Sequence, residues 1–170
     1  MSSTSDRALA AARPVIQILT VLNILYALIV ALLLGASFLM EGWPQRPLGI
    51  ELVSKYPLAP LGLQAIIVLG LVGAGIVHSI LRRLLAIVDT VRSGDPFILD
   101  NARRLNAIAW SVLAIELLRL AIVAIAAVVW EPGHMGGTSF TPWLSVLLLF
   151  VLAGVFARGA RMRADLEGTV

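Results

Sequence analysis

AIAWSVLAIELLRLAIVAIAAVVW, residues 107–130, is an apolar run interrupted only by Ser111, Glu116 and Arg119. At about 1.5 Å per helical residue it is long enough to cross the roughly 30 Å hydrocarbon core of a bilayer, which marks it as a membrane-spanning helix. A charged side chain at the bilayer midplane costs about 2.5–3.5 kcal/mol on insertion scales, so an ionisable residue there is a functional candidate by default. Glu116 and Arg119, three residues apart, fall nearly on one helical face, where each offsets the other's charge. Two readings follow: a polar pair that fixes helix packing, and an intramembrane working site.

The rest of the chain has the same character. Of its 170 residues 59% are hydrophobic and only 14% charged, and the mean hydropathy is +0.96. Soluble domains are far less apolar, so the composition specifies an integral membrane protein. The length leaves room for one membrane domain, residues 1–170, and no separate soluble domain of ordinary size. Cysteine is absent, which removes disulfides, thiol catalysis, Cys-ligated zinc and iron–sulfur chemistry. No metal site and no cofactor are expected.

Three further apolar segments, 15–40, 61–81 and 143–156, join the run at 106–130 to give four spans. The first is interrupted by Gln17, Thr20 and Asn23 and is too long for a signal-peptide core, so it reads as an uncleaved anchor. Pro44, Pro47, Pro57, Pro60, Pro132 and Pro142 punctuate the connections. Gly70, Gly73, Ala74 and Gly75 in the second span let a neighbouring helix approach closely. No internal repeat or half-to-half symmetry supports an inverted-repeat transporter.

Arg7, Arg13, Arg82, Arg83, Arg92, Arg103, Arg104, Arg158, Arg161 and Arg163 fall on one side of the four spans, against Arg46 and Lys55 on the other. The positive-inside rule therefore places both termini and the central segment 82–105 in the cytoplasm. The basic pI of about 10.2 reflects this topology, and direct nucleic-acid binding is not expected. Trp43, Trp130 and Trp143 mark the outer boundary and Trp110 the inner one. The expected fold is an all-α integral membrane bundle of four helices, N-in and C-in, in a bacterial inner membrane.

In the cytoplasmic segment, Leu81, Leu84, Leu85, Val88 and Val91 form an apolar stripe continuing the second helix, suited to the membrane surface or to a partner. Gly94 is expected as a C-cap glycine, Pro96 stops the helix, and Asp100 offers an N-cap for the third. The turn carrying Asp95, Pro96, Phe97 and Asn101, flanked by Arg103 and Arg104, is the largest feature presented to the cytoplasm. Its turn formers explain most of it structurally; the alternative is a docking element.

Gly94-Asp95-Pro96-Phe97, then Asn101-Ala102-Arg103-Arg104-Leu105, and the tail Phe156-Ala157-Arg158-Gly159 resemble the bacterial membrane family catalogued as domain of unknown function 2975. The resemblance extends over essentially the whole chain. Glu116 and Arg119 have no place in the family pattern. Because genes of this family often neighbour one for a small helix-turn-helix regulator, the resemblance implies a membrane partner that holds or releases such a protein.

Constellations for chemistry are missing. His78, near the inner end of the second span, and His134, in an outer connection, cannot assemble a local zinc motif. His78 reads as a packed or interfacial histidine, with a ligand or proton-relay role as the alternative. Nucleophile elbows and phosphate-binding loops are likewise absent from the sequence, so enzymatic activity is not expected. Arg158, Arg161 and Arg163 follow the last span on a basic helix suited to an anionic leaflet or to a partner, and Arg161/Asp165 and Arg163/Glu167 have i,i+4 spacing.

Two functions remain. The first is a non-enzymatic regulatory membrane protein that sequesters or signals to a small cytoplasmic DNA-binding regulator through Asp95, Pro96, Phe97, Asn101, Arg103, Arg104, Arg158 and Arg161. The second is a small oligomeric transporter or channel subunit using Glu116, Arg119 and His78. A homodimer is compatible with either.

Overall fold

The computed structural model describes residues 4–40, 43, 55–130 and 140–167. His134, Arg46 and most of the outer segment 41–59 lie outside them, as does the chain end at 168–170. Four helices account for nearly all the described residues: α1 (Thr4–Leu39), α2 (Ala59–Arg92), α3 (Leu99–Val129) and α4 (Thr141–Glu167). Each is long and apolar enough to cross a membrane. Pro60 sits in the first turn of α2 and Pro142 in that of α4, where a missing N–H costs nothing and the fixed φ suits helix entry. All four helices extend beyond the apolar segments that identify them. The expected loop 82–105 is consequently almost entirely helical, and only residues 93–98 connect α2 to α3.

Extensive packing joins helices that are adjacent in the chain, α1 to α2, α2 to α3 and α3 to α4. Small residues of α2 set these distances. A Cβ at Gly62 would fall 2.5 Å from Val129 Cγ2, and one at Gly73 3.1 Å from Leu118 Cδ2, so both glycines admit α3. Val129 is β-branched and stiff at χ1, so it cannot easily swing clear of a larger residue at position 62. Toward α1, Gly70 faces Tyr26 and Val30, Ala74 is buried, and the Asn23 amide donates to Ala74 O at 3.0 Å. Asn23 is thus a polar tie between two spans rather than a break in the first.

Large apolar side chains point away from the protein, among them Leu32 at 65%, Val128 at 74% and Leu148 at 67% exposure. In water such a surface would drive aggregation; facing lipid it costs nothing. The described apolar core instead gathers where Ile16 meets Leu81 and Val88, flanked by Ala12, Val77 and Leu85. This corrects the expectation for the α2 stripe: α1 covers it, so its buried members are available neither to the membrane surface nor to a partner. Leu84 alone among the larger residues of that stripe stays 37% exposed.

Candidate functional site at the arginine-rich end

Because the helices run up and down, the start of α1, the end of α2, the start of α3 and the end of α4 meet at one end. Ion pairs record the convergence: Arg13 Nε lies 3.6 Å from Asp89 Oδ1, and Arg163 Nη1 lies 2.8 Å from Asp95 Oδ1.

The turn between α2 and α3 is built by its own backbone. Gly94 adopts φ +91°, its N–H donates to Val91 O at 3.2 Å, and the Asp95 N–H donates to Thr90 O at 3.1 Å. These are the two bonds of a Schellman cap, in which glycine occupies the left-handed position without a Cβ clash. Gly94 therefore fills the expected C-cap role. Asp100 does not fill the N-cap role, since Ile98 is the N-cap residue, extended and without a side-chain cap bond. Asp100 lies inside the first turn, where its charge still suits the helix dipole, and it pairs with Arg103 at 3.2 Å.

Asn101 is wholly buried. Its Nδ2 donates to Thr90 Oγ1 at 2.7 Å and to Pro96 O at 3.0 Å, and its Oδ1 accepts from Arg104 Nη1 at 2.8 Å. The Thr90 hydroxyl has one proton, and with Asn101 donating to its oxygen that proton is free for Ile87 O at 2.8 Å. One amide thus ties the end of α2, the turn and the start of α3. Asn101 was expected on a partner-facing surface; it is instead buried, its amide is engaged within the turn, and Arg104 is turned inward to it.

Phe97 stacks on Phe156 with ring centroids 5.2 Å apart, and a Cβ at Gly159 would lie 3.0 Å from Phe97 Cδ1. Phe156 and Gly159, one helical turn apart on α4, therefore form the seat for the aromatic ring of the turn. The two short motifs that carried the family resemblance pack against each other. Phe97 keeps 45% of its surface exposed, so the ring is half seat and half surface. Arg103, Arg158 and Arg161 are exposed, with Arg161 Nε donating to Ala157 O at 3.2 Å.

The remaining candidates lie elsewhere. Glu116 and Arg119 pair at 2.9 Å on α3, with the glutamate side chain only 10% exposed, and Arg119 Nη2 is buried without a hydrogen-bond partner. His78 lines a separate cavity with Arg82, Arg83 and Arg104. Among the described residues no group of three His, Asp or Glu is placed to hold a metal. Sequence reading missed Thr90 as the partner of Asn101, and Asp95 as the partner of Arg163, for which the local spacing pointed to Glu167. The Phe156/Gly159 spacing was the one available signal for the seat of Phe97.

A family model described as a protein of unknown function (DUF2975) matches residues 36–170. The match begins near the end of α1 and so leaves most of that helix outside, a narrower extent than the sequence resemblance implied. No curated protein and no solved structure matches the chain.

Proposed function

The chain belongs to the DUF2975 family, and from that premise we propose that it is a non-enzymatic protein of the bacterial inner membrane whose arginine-rich end faces the cytoplasm and docks a small helix-turn-helix regulator. The observation that carries this reading is a groove of about 310 Å³ lined by Asp95, Phe97, Ile98, Leu99, Ala160 and Arg163. It combines an exposed aromatic edge with an ion pair at its rim, the mixture of apolar anchor and orienting charge that suits an amphipathic helix of a partner. A second groove, of about 330 Å³, shares Leu99 and lies between α3 and α4; its outer end, at Leu99, Arg103 and Ala157, lengthens the track available to such a helix before Phe150 and Ala153 enter the span. The gene neighbourhood implied by the family resemblance names the kind of partner. Both termini lie inside in this arrangement, a placement that the distribution of arginines supports.

A photo-crosslinking residue at Ala164, which lines the groove, tests the reading in native membranes. Capture of the product of an adjacent helix-turn-helix reading frame is expected. Phe97→Ala should reduce it at least about tenfold, as loss of an aromatic anchor does, while membrane insertion persists. Arg158→Glu, an exposed change that leaves the seat of Phe97 intact, should reduce it as well. Undiminished capture by both variants removes the groove from the account.

A second reading, a small transporter or channel subunit, draws on the buried Glu116 and the unpartnered Nη2 of Arg119. The carboxylate is already engaged by an arginine on its own helix, which favours a packing role.

A further inference from the structure

We propose that the cavity between α2 and α3 at the arginine-rich end is a binding site for the phosphate headgroup of an anionic phospholipid, with Arg82 and Arg83 as the main ligands. The inference does not rest on the docking reading, since the cavity is distinct from the grooves beside Phe97.

The cavity measures about 390 Å³, and Gly75, His78, Ser79, Arg82, Arg83 and Arg104 are among its lining residues. It has no carboxylate in its wall. Among the described residues Arg82, Arg83 and Arg104 have no carboxylate partner either. Of the acids at this end, Asp89 pairs with Arg13, Asp95 with Arg163 and Asp100 with Arg103. Arg83 Nη1 donates only to the Ser111 hydroxyl at 3.2 Å, and Arg104 Nη1 to Asn101 Oδ1 at 2.8 Å. Each guanidinium has five N–H donors in a planar fork, so most of this donor capacity remains for an anion. Three arginines converging without a counter-charge repel one another, and a bound phosphate would offset that repulsion while accepting charge-assisted hydrogen bonds.

Depth and surroundings select a lipid. Arg82 and Arg83 directly follow the apolar stretch ending at Leu81, which over its length rises about 30 Å and so brings the two arginines to headgroup level. Helical spacing sets Val68, Val72, Gly75, Ser79 and Arg82 on one stripe of α2. Val68 and Val72, toward the membrane centre, are 44% and 49% exposed and offer an apolar track for an acyl chain below the headgroup. The space beside Gly75 is open, since a Cβ there would meet nothing within 4 Å. Basic pockets between transmembrane helices at this level suit anionic headgroups.

The test is native mass spectrometry of the detergent-purified protein titrated with phosphatidylglycerol or with phosphatidylcholine. Phosphatidylglycerol should bind at least about tenfold more tightly. Arg82→Gln/Arg83→Gln should remove most of that preference, each arginine contributing about a fivefold effect. Gly75→Leu, which fills the cavity and leaves every charge in place, should weaken phosphatidylglycerol binding comparably. Competition by millimolar inorganic phosphate would reassign the site to a free anion and overturn the lipid assignment. Equal binding of the two lipids, or a preference unchanged in Gly75→Leu, would overturn the site itself.

Discussion

Glu116→Leu is expected to lower the stability of the protein in mild detergent by about 3 kcal/mol, and adding Arg119→Met in the same chain to restore most of the loss. The single change leaves Arg119 unpaired among apolar neighbours near the middle of α3, and an unpaired charge in that setting costs roughly 2.5–3.5 kcal/mol. The pair itself has short, charge-assisted geometry at 2.9 Å and a glutamate that is 10% exposed. Breaking it is therefore much worse than replacing both members with apolar residues of similar volume. Thermal unfolding midpoints of the wild type, both single variants and the double variant complete the cycle, and a large coupling term is the expected result. A single variant that unfolds like the wild type would show that the pair is not a packing lock. Loss of ion flux in Glu116→Gln proteoliposomes at unchanged stability would move the weight to the transport reading.

Asn101→Leu is expected to loosen the turn between α2 and α3 by about 2–4 kcal/mol. The leucine occupies a similar volume but strands two groups at once, Pro96 O and an Arg104 N–H, and takes away the donor to Thr90 Oγ1, whose own proton stays with Ile87 O. Each buried group left without a partner costs about 1–3 kcal/mol, and solvent reaching the turn recovers part of it. Asn101→Asp provides a graded control, because its carboxylate still accepts from Arg104 while the donor to Pro96 O is lost. Hydrogen exchange at Gly94 and Asp95, whose N–H groups close the Schellman cap, should accelerate strongly in the leucine variant and less in the aspartate one. Unchanged protection in both variants would mean that the backbone cap holds the turn without the amide.

The helices were legible because each span needs an uninterrupted apolar stretch, and Pro60, Gly94, Pro96 and Pro142 stop or start helices for local backbone reasons. The Glu116–Arg119 pair was legible for the same reason, since i,i+3 spacing on a helix fixes proximity without knowledge of the fold. Asn101 was not. In sequence it is one polar residue among turn formers, and only the reversal at Gly94 brings Thr90, eleven residues earlier, against its side chain. The Asp95–Arg163 pair spans nearly the length of two helices in sequence, so the local alternative Glu167 was the only partner that spacing could suggest. Arg82 and Arg83 were read as orientation charges, and Arg104 as one of these and as a partner-binding residue. That α2 and α3 bring them around one cavity depends on the close approach at Gly62 and Gly73, which is a packing outcome rather than a pattern.

The central claim is that the arginine-rich end, with its locked turn, faces the cytoplasm. Because the chain contains no cysteine, a single introduced thiol reports its own side of the membrane. Ser93→Cys, in the exposed turn, and Phe140→Cys, at the opposite end and 81% exposed, leave every charge in place. With a membrane-impermeant maleimide, Ser93→Cys should label in inverted vesicles and not in intact spheroplasts, and Phe140→Cys should show the reverse. Labelling of Ser93→Cys from outside intact spheroplasts, or of both positions from the same side, would contradict the account.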